Sequence, residues 1–267
     1  MDVDHYENFP VASLLLPPQF RHPVAQIYRF AREADDFADE GNDPDALRLA
    51  RLQQFRDQLC KIERGLIPDS DQFTVLAGVI HRYQLPVALF HDLLSAFSQD
   101  VRRNRYAKFP DVLDYCRRSA NPIGRLLLHL FDRATADNLR WSDSICSALQ
   151  LVNFWQDIAI DYAKNRIYLP QDEMAAYGVT ERHVAEQLCD RKWVALMGHQ
   201  VARSRDLLQS GAPLGQALPG RIGLEIRVTI QGGLRILEKL QAEGYDMFRR
   251  RPVLKWFDWP LLLARAL

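Results

Sequence analysis

The sequence predicts an all-α protein. Apolar residues recur at spacings of three and four through long segments, the period of an amphipathic helix. Only 13 glycines are spread along 267 residues. No composition break, Gly/Ser linker, low-complexity run or repeat period divides the chain, so one domain over 1–267 is expected.

Each helix has its own signal. Over 23–40, Ile27, Phe30, Ala31, Ala34, Phe37 and Ala38 fall on one side, Pro23 suits a first turn, and Gly41-Asn42 ends the run. Asp43-Pro44 opens a second helix to about 64, Pro68 to Asp71 introduce a third over 73–83, and Pro86 begins a fourth to about 102. Helical spacing over 109–131 is interrupted at Asn121-Pro122, where proline removes a backbone donor and crowds the preceding turn, so a kink is expected. The segment 142–164 is the most apolar. Helices over about 181–209 and 215–248, and a short one after Pro252, complete the set.

Composition narrows the function classes. With 48% apolar and 25% charged residues the chain reads as an ordinary soluble globular protein. Its 34 basic and 34 acidic side chains cancel, which removes any general attraction to nucleic acid. Cys60, Cys116, Cys146 and Cys189 are widely separated and form no CxxC pair, so neither a disulfide scaffold nor a structural zinc site is expected. The start lacks the pattern of a signal peptide and no window reaches the length of a spanning helix, so the expected location is cytoplasmic.

Two acidic stripes carry the chemistry. Asp35, Asp36, Asp39 and Glu40 crowd the first helix, with Asp35 and Asp39 one turn apart on one face. Asn153, Asp157 and Asp161 recur at every fourth position among Leu151, Val152, Phe154, Trp155, Ile158, Ala159 and Ile160. Like charges at that spacing cost about 0.2–0.5 kcal/mol per pair even when exposed, and burial adds to the cost unless a cation neutralises them. The first stripe alone also fits a solvated face; the second leaves only a narrow polar seam. Two such seams suggest facing walls of hard oxygen ligands, which suit Mg²⁺ and a diphosphate held through it. Arg32 stands one turn before Asp35 and Asp36, placed to pair either with them or with a diphosphate oxygen.

With these residues in view, the chain resembles the squalene and phytoene synthase family of all-α isoprenoid synthases. The first aspartate motif runs from Tyr28 through Arg32, Asp35, Asp36 and Asp39 to Glu40. The second runs from Gln150 through Asn153 and Asp157 to Asp161 and is followed by Arg166-Ile167-Tyr168-Leu169-Pro170. Tyr115-Cys116 with Ala120 to Gly124 fits the family's central helix. The resemblance implies a helical bundle around a central apolar cavity, with catalysis by both aspartate motifs, Asp36 included. It implies Mg²⁺ held by Asp35, Asp39, Asn153, Asp157 and Asp161. It also implies that Tyr28, Arg32, Gln150, Arg166 and Tyr168 contact the diphosphate or shape its pocket.

Departures point to one branch. Asn8-Phe9-Pro10-Val11 stands where synthases that join two prenyl diphosphates often read Ser-Phe-Ser-Tyr. Trp155-Gln156 replaces a common Leu-Arg, and Gly233 stands where relatives often carry tyrosine. The segment 5–13, Asn121-Pro122 and Asn153 to Asp157 look like the hydroxysqualene synthase branch of the hopanoid route. That implies conversion of presqualene diphosphate, handed over by the synthase that makes it, and water into hydroxysqualene and diphosphate. Two alternatives stay open: a head-to-head prenyl synthase making presqualene diphosphate or another C30 or C40 product, and a non-catalytic binding or assembly factor of the same fold. Retention of both aspartate motifs speaks against the second. No Gly-rich dinucleotide fingerprint appears, and no nicotinamide cofactor is expected.

Tyr28, Phe30, Phe154 and Trp155 offer π faces to a carbocation, although core packing is the plainer reading of each ring. Near the C-terminus, Trp256, Phe257, Trp259 and Leu261 to Leu263 lie beside Arg249, Arg250, Arg251 and Lys255. This pattern fits either peripheral contact with the inner face of a membrane or packing onto the domain.

Overall fold

The computed structural model describes residues 16–41 and 43–267. Residues 5–13, with Asn8 to Val11, and Asn42 therefore lie outside the described residues. The described chain is all-α, and its sole β feature is an isolated parallel bridge between Arg105 and Ile167.

Helix α1 (Pro18–Asp39) starts five positions before the expected Pro23. Pro18 takes the first turn, where its fixed φ is already helical, and Pro23 is carried inside the helix without the backbone bond its nitrogen cannot donate. At the other end Arg48 donates to the carbonyls of Ala38 (2.5 Å), Gly41 (2.6 Å) and Asp43 (2.9 Å). This cation satisfies orphan acceptors where the helix dipole is negative, and it fixes the turn that carries Asp39.

Around α1 pack α2 (Asp45–Glu63), α3 (Asp71–Tyr83) and α4 (Val87–Asp100). They share a core of Ile27, Phe30, Phe55, Phe73, Phe90 and Leu93. The expected kink is a break between α5 (Phe109–Ser119) and α6 (Asn121–Leu130) at Ala120, where Pro122 cannot donate back to the preceding turn. Gly124 of α6 is required by close approach: a Cβ there would lie 2.2 Å from Ser142 Oγ and 2.6 Å from Cys146 Sγ of the next helix.

That helix, α7 (Ala136–Gln156), begins earlier than its apolar run because Thr135 caps it, its hydroxyl accepting from the Asn138 amide at 3.3 Å. It packs against α5, α6 and the helices that follow. The single helix expected over 142–164 breaks at Asp157 (φ −105°, ψ 13°) and resumes as α8 (Ile158–Ala163).

After α9 (Gln171–Ala176), the helix expected over 181–209 is two: α10 (Glu181–Ala185) and α11 (Arg191–Ser210). Gln187 at φ 54° turns the chain, and Asp190 restarts it by accepting from the amides of Lys192 (2.9 Å) and Trp193 (3.0 Å). The last long stretch likewise divides into α12 (Leu214–Ala217) and α13 (Gly220–Ala242) at Pro219-Gly220, with Gly220 at φ 53°. A 3₁₀ turn (Trp256–Asp258) leads into α14 (Trp259–Ala266), which lies on α13.

Gly233 of α13 also answers a packing demand. A Cβ there would stand 2.8 Å from Leu208 and 2.9 Å from Leu149, so a tyrosine would displace both side chains. All four cysteines are free thiols.

Candidate active site

The two acidic stripes face one another across Arg166. Its terminal nitrogens donate to the Asp39 carboxylate and to the main-chain carbonyls of Asp100 (3.2 Å) and Ala38 (3.4 Å). Lys164 stands 3.5 Å from both Asp39 and Glu40.

Local structure explains how a residue 127 positions away reaches α1. Helix α8 ends in a Schellman motif: the Arg166 amide bonds to the Asp161 carbonyl at 2.8 Å and the Asn165 amide to the Tyr162 carbonyl at 2.9 Å. Asn165 takes the left-handed position at φ 58°, a conformation that asparagine tolerates better than most residues. The reversed chain is held by the bridge to Arg105, with the Ile167 amide donating to the Asn104 carbonyl at 3.0 Å.

Helical register survives the break at Asp157. The Asp157 amide donates to the Asn153 carbonyl at 2.9 Å, and the Asp161 amide to the Asp157 carbonyl at 2.8 Å. The three side chains therefore stay stacked while the helix changes direction. The Asp157 carboxylate accepts a forked pair of bonds from Arg251, one of them at 3.1 Å.

Burial and mutual repulsion set the protonation of this cluster. The Asp35 carboxyl is pushed up to about 8, chiefly by burial and then by Asp39 and Asp100, with Arg32 opposing. Asp161 is also pushed up to about 8, by burial, Asp157 and Asp39, against Arg166 and Lys164. Asp35 is ringed by protein, yet 35% of its side-chain surface stays accessible. A crevice of about 10 Å³, room for roughly one water, lies between Asp161, Arg166, Phe154, Ile158 and Tyr168.

The remaining candidates are distributed unevenly. Asp36 turns toward Arg32, at 2.9 Å, and that pair is more than two-fifths exposed on both sides. Arg32 also approaches Asp35, at 3.7 Å. Asn153 and Gln150 are half-buried, one helical turn apart on α7. Tyr28 is half-buried against the α1 to α4 core. Tyr168 is buried and stacks on Phe154 with centroids 3.7 Å apart, and its hydroxyl donates to Asp100 at 3.2 Å. Phe30 is interlocked edge-to-face with Phe73 and Phe90, and the Trp155 indole donates to Ser204 at 2.8 Å, so both are core residues.

Two participants escaped the sequence reading. Asp100, at the end of α4, is buried and also accepts from the Tyr115 hydroxyl; burial raises its carboxyl to about 7, with Arg166 opposing. No motif marks it, since only packing brings it beside Arg166. Arg251 belongs in sequence to the basic run near the C-terminus, but its side chain turns inward to Asp157.

The donor set fits Mg²⁺. Asp35, Asp39, Asn153, Asp157 and Asp161 offer hard oxygens, the donor type that Mg²⁺ takes.

Comparisons with known proteins show the family to which the chain belongs. Residues 3–258 match the sequence profile of squalene/phytoene synthases. A hydroxysqualene synthase of Zymomonas mobilis is 35% identical over 228 residues, covering 83% of this chain and 74% of that protein. A 15-cis-phytoene synthase of Synechococcus elongatus is 27% identical, covering 97% of this chain and 89% of that protein. The crystal structure of a squalene synthase of Alicyclobacillus acidocaldarius superposes with a TM-score of 0.84 at 32% identity, covering 90% of each chain. The chain belongs to the squalene/phytoene synthase family.

Proposed function

We propose that the chain is a Mg²⁺-dependent hydroxysqualene synthase, converting presqualene diphosphate and water into hydroxysqualene and diphosphate. The observation that carries the reading is the opposition of Asp39 and Asp161 around Arg166, which builds a site for a multiply charged leaving group. The choice of substrate is supported by the identity with the Zymomonas mobilis protein.

When bound, Mg²⁺ supplies Lewis-acid neutralisation of the departing diphosphate. Asp35, Asp39, Asn153, Asp157 and Asp161 would hold it. Arg32 and Arg166 would lie at the diphosphate, Arg166 fixed by the Asp100 carbonyl and Arg32 more freely held by its exposed pair. Tyr168 and Tyr115 would keep Asp100, and through it the Arg166 region, in register.

Gln156, where many relatives carry arginine, gives its amide to the Pro252 carbonyl (2.5 Å), and the cation beside Asp157 is supplied by Arg251. The C30 chain would lie among half-buried apolar side chains of α1, α6 and α7, such as Ala31, Leu127 and Leu149. Loss of diphosphate leaves a cyclopropylcarbinyl cation, which rearranges to an allylic cation. Water adds its oxygen there and releases one proton, so no hydride donor is required.

The phytoene synthase similarity favours a second reading, condensation of two prenyl diphosphates. Incubating purified protein and Mg²⁺ separately with presqualene diphosphate and with farnesyl diphosphate, with products read by mass spectrometry, separates the two. Hydroxysqualene from the first substrate is expected; presqualene diphosphate formed from the second would overturn the proposal.

A further inference from the structure

No helix among the described residues is long and apolar enough to cross a membrane. The turn before α14 nevertheless displays large apolar side chains to solvent. Trp256 is 83% and Phe257 52% exposed, and Leu261 and Leu263 of α14 are also exposed. Single exposed apolar residues are ordinary, but an aromatic pair at the tip of a rigid turn is not.

The turn is rigid because Asp258, 1% exposed, anchors it from beneath. Its carboxylate accepts from Arg235 (2.9 Å), Lys239 (2.5 Å) and the Lys255 amide (2.8 Å). Fixing Asp258 inward leaves Trp256 and Phe257 outward, with their rings 5.9 Å apart.

Cations outnumber acids along the segment. Arg249, Arg250 and Lys255 are exposed, Arg249 standing 3.6 Å from Asp246, and the one acid between 249 and 263 is the buried Asp258. We propose that the surface of residues 249–263 docks on an anionic phospholipid bilayer, the two rings entering the headgroup region and the flanking cations meeting lipid phosphates. Aromatic side chains favour that depth, and basic side chains near an anionic leaflet are drawn to its negative surface potential.

The same segment reaches the acidic site. Arg251 holds Asp157, and the Pro252 carbonyl accepts from Gln156, both at the end of α7. Docking through Trp256 and Phe257 therefore sets the Asp157 wall of the acidic site a few residues of chain from the lipid surface.

Sedimentation with vesicles tests this without any substrate. The full chain is expected to partition at least about tenfold more strongly onto phosphatidylcholine vesicles containing phosphatidylglycerol than onto phosphatidylcholine alone, less so at high salt. Trp256→Ser with Phe257→Ser should lower that partition about tenfold or more, with helix content unchanged and turnover of detergent-dispersed substrate retained. Arg249→Glu with Arg250→Glu should remove the preference for phosphatidylglycerol. Equal partition onto both vesicles, or undiminished binding by the Trp256/Phe257 variant, overturns the proposal. So does self-association by light scattering that the same variant abolishes, which would assign the surface to a second copy of the chain. Because binding is read without turnover, the result stands whether or not presqualene diphosphate proves to be the substrate.

Discussion

Arg166 binds the Asp39 carboxylate from 127 positions further along the chain, closing the two aspartate motifs into one site. Side-chain exposure is 10% for the arginine and 24% for the aspartate, so the pair sits where water screens it weakly. Around it stand Asp35, Asp100 and Asp161, all with carboxyls raised by burial.

Removing that cation leaves Asp39 with only the longer contact to Lys164, at 3.5 Å. Arg166→Leu is expected to cost about 3–5 kcal/mol of stability, measured by urea unfolding at pH 8. The loss should shrink at pH 6, where protons replace the missing positive charge. An equal loss at both values would refute the arrangement.

The raised carboxyls also set the pH dependence of the metal-free protein. A folded-state value of about 8 against 3.8 for the ordinary group means that the folded chain holds more protons than the unfolded one between those limits. Stability contributed by Asp35 and Asp161 is thus fully present below 3.8 and is lost as pH rises through about 8. The melting temperature without metal should fall from pH 6 to pH 9. Added Mg²⁺ should restore it, most at the alkaline end, with proton release on binding seen by calorimetry in buffers of different ionisation enthalpy.

Asp157→Asn keeps the shape of the side chain but removes its charge. Outer partners of metal ligands are worth 10- to 100-fold, so if Asp157 is a direct ligand, as proposed, its loss should cost at least about 100-fold in turnover. Helix content by circular dichroism should not change, and raising Mg²⁺ should recover part of the activity.

Tyr168 is buried under Phe154 and spends its hydroxyl on Asp100. Tyr168→Phe should therefore lower stability by about 1–2 kcal/mol and change KM little. A large rise in KM with unchanged stability would instead assign the hydroxyl to substrate.

Gly124 carries no chemistry but governs how closely α6 and α7 approach. Gly124→Ala drives a methyl group against Ser142 and Cys146 and should destabilise by about 1–3 kcal/mol. Pairing it with Ser142→Gly should recover part of the loss in thermal unfolding.

Much of this protein was legible from local pattern. Apolar spacing marked the helices, Asn121-Pro122 marked the break after α5, and the two aspartate stripes with the Arg166 to Pro170 tail marked the family. Boundaries were less legible where a cap overruled composition, as Thr135 and Asp190 do at α7 and α11.

Periodicity reports which residues share a face of one helix, and the chain by itself settled that much, along with the hard-oxygen character of the two stripes. Tertiary structure decided which faces meet. Asp100 joined the acids and Arg251 left the basic surface for Asp157, because burial and charge pairing act between elements far apart in sequence. The exposure of Trp256 was likewise a tertiary outcome: its neighbour Asp258 found two cations on α13 and was drawn inward, which left the ring facing solvent.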